Sequence, residues 1–372
     1  MISLPNTLNI DLSAIEHNLN QVRKLIRPET KIMGIVKSDA YGHGLLEVSR
    51  VLEKSGADCL GVAHLHEALE LRKCGIALPI IILCGIRSRE EAGEAVEHQL
   101  TPVLFDLPSA EMLAEESARR ARPVRVQLKL DTGMGRLGIA YGEMGPFLKR
   151  ILRFKTIHLE ALTSHLSTAD EPGCQFARSQ ILHFERAVEI GRGAGLELPL
   201  NNLANSAGIM AHKDSHFNMV RPGIMLYGAL PCSGFPVPIP LRPAMSFKSR
   251  VIQVRKFPAD TPVSYGRTYH TKGPQRIAIV SAGYGDGLPR SFSNRAKVLI
   301  GGKGVPVVGR VCMNMLMCNV TALDHVEPGS EAVLLGTQED LTITAEDMAW
   351  WADSISYEIL CSLGRKQSRE YL

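Results

Sequence analysis

The chain has 372 residues and eight cysteines, yet no two cysteines stand in a Cys-x-x-Cys spacing, so neither a zinc ribbon nor a thioredoxin-like redox pair is written into it. Several cysteines, Cys59 and Cys84 among them, sit inside apolar strand-like runs, which suits buried reduced thiols. Long hydrophobic runs are also missing. The most apolar, Ile80–Cys84, is preceded by Pro79 and falls far short of the ~20 residues a membrane helix needs. Charge of one sign is scarce: the formal net charge is only +4, and aromatic residues make up 5% of the chain. The densest basic run, Arg119-Arg120-Ala121-Arg122, reads as a solvated helix end, so no nucleic-acid partner is implied. The opening MISLPNTLNIDLSAI has neither a basic start nor a long apolar core, so no signal peptide is expected. These absences lead to the expectation of a cytoplasmic protein without a membrane partner or a bound metal.

What is present is a repeated alternation. A helix is expected from Leu12 to about Leu25, with Ile15, Leu19, Val22 and Leu25 at helical spacing. Short apolar runs then follow at 32–36, 59–63, 80–84, 102–105, 124–130, 159–165, 202–204 and 219–224. Helical patterns separate most of them, at 67–73, 90–97, 109–121, 146–153, 176–191 and 206–211. Such alternation predicts a (β/α)8 TIM-type barrel. An open doubly wound sheet is disfavoured because no Gly-x-Gly-x-x-Gly follows the first strand. From Pro231 to Pro243 the chain is rich in proline and reads as a linker. Beyond it the strand patterns at 245–257, 276–281, 297–300, 305–311 and 331–335, with one late helix at 344–352, predict a mainly β C-terminal domain. The division expected is 1–235 for the barrel and 236–372 for the β domain.

In a barrel, reactive groups belong at the carboxyl ends of the strands. Lys37 closes the first strand and opens the turn-rich Ser38-Asp39-Ala40-Tyr41-Gly42-His43-Gly44. Desolvation there lowers an amine's pKa, and an unprotonated amine can form a Schiff base with an aldehyde. Taken alone, a lysine snorkelling from a strand end explains Lys37 as well. Lys129, in the fifth strand, shares a face with Gln127 and Asp131, and a lysine inside a barrel needs a partner. His165 ends the sixth strand. Asn205-Ser206-Ala207-Gly208 and Arg221-Pro222-Gly223-Ile224 follow or end the last two strands, where barrels often hold phosphate. Ser206, Gly223 and Ile224 suit that purpose, although Asn-Ser capping a helix accounts for the first segment equally well.

Taken in order, KSDAYGHG, KLDTGMGRLG, SHLSTAD, NSAG, RPGIMLYG, VSYGRTY, GYGDGLPR, GRVCMN and ISYE resemble the ordered motifs of alanine racemases, pyridoxal-phosphate enzymes built on a barrel. The resemblance implies racemisation of alanine by two bases on pyridoxal 5'-phosphate, a supply of D-alanine for peptidoglycan, and a head-to-tail homodimer. It makes Lys37 the lysine that holds the cofactor and Tyr265, from the partner subunit, the opposite base. His165 would be bonded to that tyrosine, and Arg221 would face the pyridine nitrogen. Arg136 would lie near the cofactor hydroxyl and the substrate carboxylate, and Met313 would touch substrate through its backbone. Tyr41, Ser206, Gly223, Ile224 and Tyr357 would hold the cofactor's phosphate, and Asn205 would also bind the cofactor. Lys129 matches a lysine carbamylated in many members, and Tyr284, Arg290, Arg310 and Ile355 fall in the access corridor. Ser38 stands where alanine is commoner, Asn314 stands where aspartate is usual, and Gly364–Leu372 is only loosely alike.

Three rival readings remain at this point. A racemase of broader specificity shares the same scaffold. A barrel decarboxylase of basic amino acids would need a cysteine-bearing motif that is not evident here. A non-catalytic pyridoxal-phosphate carrier would lack the β domain.

Overall fold

A computed structural model describes residues 5–171, 173–236 and 239–372. The apolar runs of the first half pair in parallel, and Cys59–Val62, Ile80–Ile82 and Thr101–Leu104 are buried on both faces, as suits a barrel. Neighbouring strands follow chain order: Lys31–Ile35, Cys59–Val62, Ile80–Ile82, Thr101–Leu104, Val124–Asp131 and Ile157–Thr163. Asn202 then bridges Thr163 to Met219, and Met219–Val220 pairs with Lys31-Ile32, which closes the ring. The expected seventh strand, 202–204, is thus a single bridging residue. Asn202 spends its side chain on Thr163 and Gln127 as well, so polar bonds do there what a longer ladder does elsewhere.

The helices lie within a few residues of their expected positions, at Leu65–Lys73, Arg89–Glu97, Leu107–Arg119, Met144–Ile151, Phe176–Gly193 and Ser206–Ala211. Leu12–Leu25 is capped by Asp11, whose carboxylate accepts from Ala14 N at 3.1 Å, and it buries Ala14, Ile15, Leu19 and Val22. The same helix carries Asn18, wholly buried, which donates to Leu226 O and Arg242 O and accepts from Arg242 N at 2.8 Å. That amide fastens the end of the linker to the barrel. Residues 237 and 238 of the linker lie outside the described residues.

The second domain is built on one long strand, Met245–Phe257, which pairs antiparallel with Thr7–Ile10, Gln275–Val280 and Glu331–Gln338. Here the structure departs from the expected division at residue 235. Thr7–Ile10 belongs to the second sheet, with Leu8 opposite Phe247 and both fully buried. The chain's last strand, Arg369–Tyr371, runs parallel to Thr7–Ile10 on its other side. A four-residue strand whose antiparallel partners lie more than 230 residues away leaves no local signature in the sequence. The expected strand at 305–311 is shorter, Lys303–Pro306. The single late helix is two, Ala345–Ala352 and Ser356–Lys366. One continuous apolar core runs through both domains, joined by a small satellite of Val263, Ile277, Val308 and Met317.

Candidate active site

Directly after Lys37 the backbone does something that sequence patterns do not announce. Ser38, Asp39, Ala40 and Tyr41 all hold φ between 50° and 56°, and Gly42 follows at 83°, so the chain makes a left-handed helical turn. L-residues pay roughly 1–2 kcal/mol each for this conformation and visit it singly, not in series. The surroundings over-determine the turn. Glu67 accepts from Ser38 N at 2.7 Å with one carboxylate oxygen and from Ala63 N at 2.7 Å and His64 N at 3.1 Å with the other. Asp39 accepts from Leu45 N at 2.7 Å and pairs with Arg369. A Cβ on Gly42 would lie 2.5 Å from Leu360 O, so helix Ser356–Lys366 can sit against the turn only because glycine is there.

The turn aims Tyr41 inward. Its ring stacks on Tyr227 at 4.8 Å and meets Tyr357 at 5.9 Å, and a Cβ on Gly223 would come within 2.5 Å of its hydroxyl. Ser206 Oγ accepts from Gly223 N at 3.0 Å and from Met225 N at 3.4 Å. Asn205 caps helix Ser206–Ala211 by accepting from Gly208 N at 2.9 Å, and donates to Leu166 O at 3.3 Å. The capping role of Asn205 is thus seen directly, and Ser206 lies with Tyr41, Gly223 and Ile224 in a small polar cradle, its hydroxyl accepting from the Gly223 and Met225 N–H groups.

Deeper in the barrel mouth cationic side chains predominate. Arg221, 6% exposed, donates to Thr163 Oγ1 at 3.1 Å, to Asn202 O at 3.0 Å, to Leu203 O at 3.3 Å and also to Ser164 O and Asn202 Oδ1. None of these partners is a carboxylate. Its guanidinium also faces His165 Nδ1 at 3.2 Å, and because arginine only donates, Nδ1 must be the acceptor. His165 is accordingly neutral, its pKa held well below the usual imidazole value by burial first and then by Arg221, Lys129 and Arg136. Burial pushes the Lys37 amine down as well, with Arg136 and Arg221 adding to the effect. Lys129 is driven lower still by burial, Arg221 and Arg136. The anion nearest it in sequence, Asp131, is already committed to Gly133 N, Met134 N and Gly135 N. Lys37 and Lys129 thus feel the Arg221 and Arg136 guanidiniums, and the carboxylates that offset them, Glu67 and Asp131, are already bound to backbone N–H groups.

The remaining expected residues lie on the second domain and largely face solvent. Tyr265 is 69% exposed and Met313 57%. Ser264 Oγ donates to Arg310 O at 2.6 Å, the Arg310 guanidinium packs over Gly266, and Tyr284 N and Gly285 N donate to Cys312 O and Met313 O. The motifs carrying Tyr265, Arg310, Met313 and Tyr284 therefore gather into one exposed cluster. Arg290 is exposed, and Ile355, also exposed, begins the helix that bears Tyr357. Asn314 donates to Asp286 at 3.4 Å. Within the chain, among the described residues, no hydrogen bond joins Tyr265 to His165 or Lys37. Sequence reasoning missed Glu67, His43 and Arg369; the EALELR helix start and the buried GHG histidine were available signals, whereas Arg369 had none.

Known proteins can be set beside this geometry. The alanine racemase N-terminal domain model matches residues 10–231 and the C-terminal domain model matches 244–371. The chain belongs to the alanine racemase family. An alanine racemase of Syntrophobacter fumaroxidans is 42% identical over 98% of this chain and 96% of its own length. The alanine racemase of Streptomyces lavendulae superposes with a TM-score of 0.94 at 33% identity, covering 100% of this chain and 98% of that one. That of Bartonella henselae, solved with covalently bound pyridoxal phosphate, gives 0.90 at 28% identity with both chains fully covered. The match to both domains of the family sets aside the decarboxylase and the barrel-only carrier. No helix among the described residues is long and apolar enough to cross a membrane.

One titratable group in the turn yields a measurable consequence. His43 is fully buried, its Nδ1–H donates to Ala40 O and Tyr41 O at 3.1 Å, and burial pulls its pKa to about 4. Between about pH 6.5 and pH 4 the unfolded chain binds a proton that the folded chain refuses, so stability falls as pH falls through this window. The full loss amounts to about 3 kcal/mol. Urea unfolding at pH 7 and pH 4.5 is expected to show a flatter pH dependence for His43→Gln, which keeps a donor but does not titrate, than for the natural protein.

Proposed function

We propose that the chain interconverts L-alanine and D-alanine, with pyridoxal phosphate held on Lys37, and so supplies D-alanine for peptidoglycan. The observation that carries this reading is the convergence at one barrel mouth of a desolvated lysine, a hydroxyl-and-backbone cradle, and the buried Arg221 guanidinium, none of whose hydrogen-bond partners is a carboxylate. That set of groups fits the cofactor. Its phosphate would take the cradle of Tyr41, Ser206, Gly223, Ile224 and Tyr357, with Asn205 holding the adjoining helix. The phosphate's negative charge would meet a pocket that has positive charge in excess. Relatives support the same assignment: the Bartonella henselae enzyme carries the cofactor covalently, and that of Bacillus anthracis, 30% identical with a TM-score of 0.91, was solved with bound L-Ala-P.

When bound, pyridoxal phosphate supplies an electron sink that acidifies the substrate's α-proton. The chain's own residues supply everything else. Lys37 Nζ, its pKa lowered by burial and by Arg136 and Arg221, takes or returns the proton on one face. Tyr265 serves the other face, and His165, neutral and presenting Nε2–H, orients it. Two bases on opposite faces avoid the reorientation a single base would need. Arg221 would hold the cofactor at its ring nitrogen and keep its own proton, because a guanidinium does not give one up near neutral pH. It would leave that nitrogen uncharged and so restrain side reactions such as transamination. Arg136 and the Met313 backbone hold the substrate carboxylate, while Tyr284, Arg290, Arg310 and Ile355 line the approach.

The exposure of Tyr265 and Met313 supports a head-to-tail homodimer in which each second domain completes the partner's barrel. Lys129 is read as carbamylated. Its amine, whose pKa is lowered by burial, Arg221 and Arg136, attacks the carbon of CO2 and gives up a proton to solvent, and the resulting anion pairs with Arg136. Carbamylation turns a costly buried cation into a counter-charge.

Three outcomes are expected. Borohydride reduction of the holoenzyme should place the cofactor on Lys37, and chiral separation of products from a panel of L-amino acids should favour alanine; label on Lys129, or no racemised product, overturns the reading. A refined experimental map should show Lys129 with a carboxyl group or a bound anion beside Arg136, and a bare ammonium would refute carbamylation. Tyr265→Phe and Lys37→Ala should each lose roughly 10²–10⁴-fold or more in activity. Subunit exchange between the two inactive homodimers should restore part of it. Demonstrated exchange without restored activity refutes the shared site.

A further inference from the structure

The left-handed turn is held from behind by the very end of the chain. Arg369–Tyr371 is hydrogen-bonded as a strand beside Thr7–Ile10, and Leu372 is fixed further by a bond from its N–H to Ile10 O at 2.9 Å and by one from Leu12 N at 3.1 Å. This anchoring gives the Arg369 side chain a fixed origin. Its guanidinium, 18% exposed, pairs with Asp39, the second residue of the turn. The Tyr371 hydroxyl occupies the space a side chain at Gly44 would need. Asp39 in turn is the hub of the turn. Its carboxylate accepts from Leu45 N at 2.7 Å, and its carbonyl accepts from Gly42 N at 2.9 Å and Gly44 N at 3.0 Å. Rotating Asp39 out of its left-handed conformation breaks all of these together. It also moves Tyr41, two residues on, away from Gly223.

We propose that Arg369 is a positioning residue for the cofactor site: by pairing with Asp39 it holds the turn Ser38–Gly42 in the conformation that places Lys37 and Tyr41 together. The proposal rests on the cofactor reading given above. Glu67 secures the front of the turn through Ser38 N, and Arg369 secures the back. A bond to an ionised partner is the stronger kind, and the arginine fork suits a carboxylate in a way that a lysine ammonium does not.

The test compares purified holoenzyme of the natural sequence with Arg369→Gln, Arg369→Lys, Asp39→Asn and the Arg369→Gln/Asp39→Asn double variant. Each is dialysed free of pyridoxal phosphate and returned to graded concentrations of it. Uptake is read from the visible absorbance of the lysine-bound cofactor and from borohydride trapping, and melting of the cofactor-free protein is recorded alongside. Arg369→Gln is expected to bind pyridoxal phosphate on the order of ten-fold more weakly. Arg369→Lys should recover part of that loss, and the double variant should be no weaker than the poorer single one, since both act through one contact. A merely structural clip would lower the melting temperature and leave affinity within about two-fold of the natural protein in every variant, and that result overturns the proposal. Should Arg369→Gln fail to fold, Arg369→Lys and Asp39→Asn carry the same comparison. Failure of the natural protein itself to take up cofactor on Lys37 would instead overturn the cofactor reading on which the proposal stands.

Discussion

Four successive side-chain-bearing residues in the left-handed region, Ser38 to Tyr41, are the constraint around which this molecule is arranged. At roughly 1–2 kcal/mol each, such a turn is unstable as a local structure. It persists because contacts from distant parts of the chain hold it. Glu67 binds it from the neighbouring barrel unit, His43 donates to its carbonyls, helix Ser356–Lys366 packs on Gly42, and Arg369 pairs with Asp39. The arrangement gives the N-terminal strand its purpose. By lying between Met245–Phe257 and Arg369–Tyr371, Thr7–Ile10 ties the second domain and the chain's end to the barrel mouth. Domain pairing and cofactor-site geometry are therefore one mechanical problem.

A second tension is electrostatic. Burial disfavours the charged form of any amine, and here burial coincides with like-charged neighbours at Lys37 and Lys129. Arg221 keeps its charge through a dense set of neutral acceptors from Thr163, Ser164, Asn202 and Leu203. One field thus produces a nucleophilic lysine, a neutral histidine and an unsatisfied demand for anions. The phosphate-bearing cofactor and the carbamate proposed for this site would each supply negative charge to it.

The two halves of the site differ in how they present themselves. The barrel half is buried and pre-assembled, whereas the half bearing Tyr265 and Met313 is organised but exposed. Its loops are braced against one another through Ser264, Arg310 and Met313, so the cluster is rigid without being covered.

Much of this was legible in the sequence. Apolar runs alternating with helical periods specify a barrel because parallel strands are buried on both faces and their helices on one, and both patterns are local. The positions of Lys37, His165, Ser206 and Arg221 at strand ends followed from the same periodicity, and the ordered motifs identified the chemistry. The strand Thr7–Ile10, the handedness of the turn after Lys37, and the reach of Arg369 to Asp39 were not legible. Each depends on partners hundreds of residues apart, and a backbone conformation that local preference opposes leaves no pattern to read. The sequence by itself determined the fold class and the reactive groups, because these rest on short-range periodicity and residue chemistry. Only the tertiary structure decided how the turn is held, which domain owns the N-terminal strand and how far the amines are desolvated, because these arise from contacts that exist only once the chain has closed on itself.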